Sequence, residues 1–405
     1  MSENADHLAD MPVPPGAEAI TVGEIAPHGV VDHPLPVLAA CMVAGTVALM
    51  ILGVQPVVLG GLARAGWVSE AQIGPLATVE VLAIALGSAI GPGFLRGGAM
   101  RLKTAVLSLA LAGANLAIYL VHAALALDAL RACAGLIEGL ILGATIVITV
   151  QNSRPDRMNA LFLAFSTLPQ SVMAYFLPTW ITPRFGPEGG FVVLAVLAVI
   201  SAGSAFFLVD SAPKPPPETV GKTVWGWPVL VALAAVGFQN AAIGGAWDYI
   251  ELLADQHHFP AQLAGVAVSG GLLFQVAGAF AVAAWGPRLP FRAALVAGSL
   301  FQSAIIALLA LAQTPLMYIA PALSFGLFWL AMSPFQVRLL IALDQTRGAA
   351  LMLTAVTLVG LSAGPSISAL GVRGADVTGA FWIAAVLMAT GCALYAALGF
   401  RRGLA

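Results

Sequence analysis

The sequence predicts an all-α membrane protein with twelve transmembrane helices in two six-helix bundles. Three observations carry that prediction. Of the 405 residues, 60% are hydrophobic and 9% charged, against about a quarter charged in a soluble domain. The mean hydropathy is +0.95. Apolar runs of about 20 residues, the length needed to cross roughly 30 Å of hydrocarbon, recur twelve times between charge clusters and Gly/Pro breaks. The same composition excludes a nucleic-acid binder: 17 Lys+Arg against 19 Asp+Glu leave no basic field for phosphates. Cys41, Cys133 and Cys392 each sit in an apolar run and read as small buried hydrophobes rather than a disulfide framework.

Residues 1–34 come first and differ from the rest. They hold Glu3, Asp6, Asp10, Glu18, Glu24 and Asp32, no Lys or Arg, and several prolines. Lacking the basic start and apolar stretch of a signal peptide, they are expected to form a disordered acidic tail. The spans then read 36–62, 75–95, 104–126, 130–150, 159–181, 190–209, 227–248, 262–285, 293–313, 315–336, 349–370 and 377–399. The second and fourth each contain a carboxylate. The Pro-rich segment 210–226 is the only long polar interruption. It divides the chain into halves, 35–209 and 227–400, joined by a linker.

Positive charge orients the spans. Arg96, Arg101, Lys103, Arg154, Arg157, Lys214, Lys222, Arg288, Arg292, Arg338, Arg347, Arg401 and Arg402 fall on one side, and Arg64, Arg131, Arg184 and Arg373 on the other. Both termini and the linker are therefore expected in the cytoplasm, in a multi-pass cytoplasmic (inner) membrane protein. An odd span count would break this alternation. Trp67, Trp180, Trp225, Trp227, Trp247 and Trp285 lie at span ends, where tryptophan meets the membrane–water interface; Trp329 lies within span ten.

The topology and two local motifs resemble the major facilitator superfamily. At the start of span four, Leu127, Arg131 and Gly135 are spaced like a family pattern, with Ala134 where a polar residue is usual. After span two, Gly93-Phe-Leu95-Arg96-Gly-Gly-Ala-Met-Arg101-Leu-Lys103 is similar to the family loop, but Gly97 replaces its Asp and Met100 its second Gly. The resemblance covers about residues 35–400. It implies a central cavity lined by spans one, four, seven and ten, alternating access, and a match of Arg131 to the family arginine linked to proton coupling. A Gly-Pro signature of antiport exporters is absent from span five, since Phe162–Trp180 contains no glycine; this favours uptake or facilitated diffusion.

Charges inside the membrane are costly and face a cavity or a partner. Glu138 lies near the midplane of span four, seven residues after Arg131, so the two share a face about 10 Å apart along the axis. A carboxylate beside a movable cation changes its proton affinity with solvation, which suits proton coupling. The alternative is that Arg131 reaches the outer interface and Glu138 pairs statically. Glu80 in span two is a partner for Arg131 if spans two and four pack together. Asp248, Glu251, Asp255, His257 and His258 read as a solvated outer loop rather than a metal site, with Asp248 at the mouth of the pathway. His122 reads as an interfacial residue.

Gln55, Gln239, Asn240, Tyr318, Phe325 and Trp329 are the candidate substrate residues, with Gln170, Gln275 and Gln302 nearby; Tyr318, Phe325, Trp329 and Met332 share one helix face. Packing and backbone hydrogen bonding are the plain alternatives for each. An aromatic, amide-bearing pocket short of cations fits a neutral, amphiphilic or singly charged organic solute. The small residues Gly87 and Gly91, Gly135, Gly139 and Gly143, and Gly360 and Gly364 allow close helix approach and smooth surfaces for the halves to rock past one another.

The expectation is thus a monomeric secondary transporter, using no cofactor and no metal, that takes up a small organic solute with protons. A proton-antiport exporter is the runner-up. A polytopic enzyme or sensor fits less well: no nucleotide-binding Gly-x4-Gly-Lys motif occurs, and the acids are too spread for a catalytic constellation.

Overall fold

The computed structural model describes residues 31–121, 123–210 and 225–399. The tail before residue 31, His122, the linker residues 211–224 and Arg401 and Arg402 lie outside the described residues. Twelve helices have membrane-spanning length and apolarity: α1 Leu35–Arg64, α2 Glu70–Arg96, α3 Met100–Leu120, α4 Ala124–Gln151, α5 Arg157–Phe185, α6 Glu188–Phe207, α7 Trp227–Gln256, α8 Ala261–Trp285, α9 Phe291–Ala310, α10 Pro315–Leu343, α11 Gly348–Ala369 and α12 Thr378–Leu398. They match the expected spans to within a turn or two. The largest departures are α7 and α10, which run on to Gln256 and Leu343.

Loops follow from local chemistry. Ser69 and Gln72 form a capping box at the start of α2, satisfying amides that a helix start leaves free. Asp376 accepts hydrogen bonds from the Thr378 side chain and amide (2.9 Å) and from Gln256 (3.1 Å). These bonds hold its carboxyl below the usual range and tie the start of α12 to the end of α7. Arg64 and Asp376 mark the distal end of the molecule; the other end carries the linker.

Glycines set which helices pack. Gly87 and Gly91 of α2 abut Gly139 and Gly143 of α4, so closely that an added Cβ at Gly139 would strike the backbone of Ile84 and Gly87. Gly360 and Gly364 of α11 meet α7 at Gly237 and Ala241. Both sets lie within one half of the chain. The expected close approach is present, but it joins helices of the same half, so the further expectation of a smooth surface between the halves does not hold for these glycines. Between halves, α2 packs on α11 and α5 on α8. There Thr78 bonds Ser366 (2.7 Å) and Ser171 bonds Ser269 (3.0 Å).

The outward faces carry large apolar side chains, among them Leu86, Leu120, Leu125, Phe206 and Leu300, as expected where lipid replaces water. Trp180, Trp225, Trp227 and Trp285 are exposed at helix ends. Trp247 is not: α7 continues past it, and it is buried. Cys133 is exposed rather than buried.

Several spans are interrupted, and each break has a consequence. Helix α1 breaks at Leu49. Seven residues after that break, Pro56 has no N–H to give to the carbonyl of Leu52, and the Trp247 indole N–H fills that vacancy across the halves at 3.0 Å. Gln170 of α5 donates to the Leu49 carbonyl (2.8 Å). Helix α7 is interrupted at Asp248–Tyr249 and α10 at Met332, just before Ser333-Pro334. Interrupted spans are tolerated where the freed backbone lines a site or is buried in protein.

Candidate functional site

The α2–α4 glycine contact brings Glu80 against Arg131. Both side chains are wholly buried and form an ion pair. Arg131 also donates to the Asn115 side chain of α3 (3.0 Å), and its guanidinium lies 5.1 Å from the Phe191 ring of α6. A guanidinium cannot shed its proton in a protein, so these partners are what make its burial tolerable. Arg131 therefore does not reach the outer interface.

Three further residues complete the cluster. Gln55 of α1 lies beside Glu80, Glu138 of α4 lies within electrostatic range of Glu80 and Arg131, and Asp248 of α7 is in range of Glu80. Asp248 is the contribution of the second half. It sits at the α7 interruption, inside the protein and 2% exposed, not at a solvated mouth. Glu138 is likewise 2% exposed. Glu80 Oε2, Glu138 Oε2, Asp248 Oδ1 and Gln55 Nε2 have no hydrogen-bond partner. An ionised group of this kind at mid-membrane costs about 2.5–3.5 kcal/mol on insertion scales. Such a cluster is relieved by gaining protons or a cation, which is the chemistry available to it.

A second charged group joins the halves at the distal end. Arg64, at the end of α1, contacts Glu251 at 2.6 Å and Asp255 at 2.7 Å. Sequence reasoning placed these acids in a solvated loop. The structure instead extends α7 through them and buries Glu251 completely. The reason is the pairing with Arg64 and the smallness of Gly60, whose missing Cβ leaves room for the Glu251 carboxyl. Glu251 and Asp255 fall one helical turn apart, so one guanidinium reaches both. Among the described residues no group of His, Cys, Asp and Glu is arranged to hold a metal.

The candidate substrate residues separate into four groups. Gln55 belongs with the charges. Phe325 and Trp329 of α10 form an aromatic corner with Trp247: ring centres are 5.9 Å apart for Phe325–Trp329 and 5.2 Å for Trp247–Trp329. Gln239 lies elsewhere, in a buried network toward the linker end, donating to Gln302 (3.1 Å) and accepting from Gln336 (2.9 Å) and Tyr395 (3.0 Å). Gln336 and Tyr395 were missed; Gln336 sat on the expected edge of span ten, and Tyr395 was an ordinary aromatic in an apolar run. Two residues are occupied by backbone. Asn240 bonds the Val236 carbonyl of its own helix (2.9 Å), and the Tyr318 hydroxyl bonds the Ile250 carbonyl beside the α7 break (2.9 Å).

No family model matches the chain, and no curated protein matches its sequence. Solved structures do match its fold. The nucleoside transporter NupG is 12% identical, with 90% of this chain and 100% of that one covered at a TM-score of 0.68. A bacterial homologue of the human lysosomal transporter Spinster, in an inward-facing conformation, is 14% identical over 92% of this chain and 97% of its own, at 0.63. The chain shares the fold of these transporter structures, with twelve helices of membrane-spanning length among the described residues.

Proposed function

We propose that this protein is a secondary transporter, not an enzyme, that takes up a small organic solute with protons by alternating access. The observation that supports this most is the buried cluster of Glu80, Arg131, Glu138, Asp248 and Gln55, built where α1, α2 and α4 of one half meet α7 of the other. A proton taken up by Glu138 or Asp248 removes a buried charge, and a change in solvation on opening reverses the balance. That ties proton occupancy to conformation. The names of the two structural neighbours, both transporters, support solute transport as such.

In this reading the halves 35–209 and 227–400 act as rigid bundles, joined by the 210–226 linker. The protein works as a monomer in the inner membrane with both termini inside, as the positive charges direct. The side-chain contacts between halves, Arg64 with Glu251 and Asp255, Trp247 with Leu52, Thr78 with Ser366 and Ser171 with Ser269, run from the middle of the spans to the distal end among the described residues. The distal end is therefore the closed one, and the protein is poised inward-facing, as one neighbour is.

The test is accumulation in proteoliposomes under an imposed pH gradient, screened over nucleosides, sugars, amino acids, organic acids and amines. Glu138→Gln is expected to abolish accumulation against a gradient while leaving exchange partly intact. Wild-type, pH-insensitive accumulation in that variant removes Glu138 from the mechanism. Accumulation only when the gradient is reversed assigns the protein to export instead.

A further inference from the structure

The buried cluster holds more acids than bases: Glu80, Glu138 and Asp248 carry carboxyl groups, and among the described residues Arg131 is the cation placed with them. Glu80 and Arg131 pair with each other through one oxygen and one nitrogen. Glu138 Oε2 and Asp248 Oδ1, on opposite halves of the chain, have no partner although both side chains are almost wholly buried. One such group suffices to carry a coupling proton; the second is unexplained. The neighbouring wall is aromatic. Trp247 precedes Asp248 in the chain, and its ring meets Trp329, which in turn meets Phe325. One turn of α1 serves both surfaces: the Leu52 carbonyl holds the Trp247 indole, and Gln55 lies beside Glu80.

A carboxylate close to aromatic faces is the chemistry that recognises an organic cation, since the charge is met by the acid and the body by the negative faces of the rings. An anion would meet three acids against one cation, and a neutral solute would make no use of a second acid. Inorganic cations would make no use of the rings. We infer that the transported solute is an organic monocation, a protonated or quaternary amine, whose charge is held by Asp248 and whose apolar body packs on Trp247, Trp329 and Phe325. This rests on the transporter reading above and specifies its cargo.

Asp248 then holds the cargo only when it is ionised, and the proton that travels with the cargo falls to Glu138. The groups facing Asp248 are Glu80 from α2 and its own neighbour Tyr249; Arg131 and Glu138 of α4 lie next to Glu80. Helix α11 brings no charged residue.

The experiment is binding to the purified full-length protein in detergent, followed by tryptophan fluorescence and calorimetry between pH 5.5 and 8. The probes are benzyltrimethylammonium, choline and tetraphenylphosphonium, against neutral benzyl alcohol and uridine, anionic phenylacetate, and sodium. At least one organic cation is expected to bind, about tenfold more weakly at pH 5.5 than at pH 8, and at least tenfold more weakly to Asp248→Asn. Trp329→Leu is expected to weaken the same cation while leaving the fold intact, which keeps the inference testable if Asp248→Asn does not fold. Binding of no organic cation, equal binding to Asp248→Asn, or sodium alone binding at this site overturns the inference. Proton-driven uptake of uridine or phenylacetate with no cation bound overturns it while leaving the transporter reading standing. Cation binding without transport of any probe does the reverse.

Discussion

Replacing Glu80 with Gln strands a guanidinium that cannot neutralise itself. Both partners of the Glu80–Arg131 pair are fully buried, and breaking a pair of this kind costs about 3–5 kcal/mol. Part is recovered. The Asn115 hydrogen bond and the Phe191 ring remain, and Glu138 lies on the same helix at about 10 Å, where an effective dielectric of 20 gives an attraction of about 1.7 kcal/mol. Glu80→Gln is therefore expected to lower unfolding free energy by about 2–3 kcal/mol. Arg131→Gln strands a carboxylate instead, which can take a proton, so its cost should shrink as the pH falls. The double variant pairs two amides and should be closer to wild type than Glu80→Gln alone. Reversible unfolding in mixed micelles, by titration with a denaturing detergent at pH 5.5 and 8, measures all three. Glu80→Gln and Arg131→Gln each within about 0.5 kcal/mol of wild type, a range normal for sites that carry no buried interaction, would refute the reasoning.

Two other variants test the packing and the distal closure. Gly139→Ala should destabilise by about 1–3 kcal/mol through overpacking against α2, whereas Gly113→Ala, which has open space around it, should be neutral or stabilising in the same titration. Arg64→Gln leaves Glu251 buried without its cation; a cysteine placed at the buried neighbour Leu252 should then react severalfold faster with a maleimide than in the Arg64 background, and an unchanged rate would show that the pair does not hold the distal end shut.

The sequence was most legible where continuous apolar length decides structure. Twelve spans follow from run length alone, because hydrocarbon thickness fixes how long a helix must be. The Glu80–Arg131 pairing was foreseeable as a conditional: two isolated intramembrane charges of opposite sign, on helices whose glycines invite contact. What local pattern could not show was partner identity at distance. Glu251 looked like a loop residue because nothing near it in sequence is basic, and its cation, Arg64, is 187 positions away. The same holds for the Gln239–Gln336–Tyr395 network. The α7 break at Asp248 carries no proline to announce it, so Asp248 was placed at a mouth rather than in the interior. Proline did leave a trace at Pro56, where the missing N–H predicts a free carbonyl, though not that Trp247 would claim it.

The central claim is that two halves, closed together at the distal end, exchange that closure for one at the linker end. Double electron–electron resonance on a cysteine-free background measures it without knowing the solute. One spin-label pair, Gly66→Cys with Gly374→Cys, spans the distal end, and another, Gly98→Cys with Arg347→Cys, spans the linker end. Opposed changes are expected across pH 5.5 to 8 in nanodiscs, one pair lengthening as the other shortens, with the shift lost in Glu138→Gln. Distances that stay fixed at both ends, or that lengthen together, would contradict it.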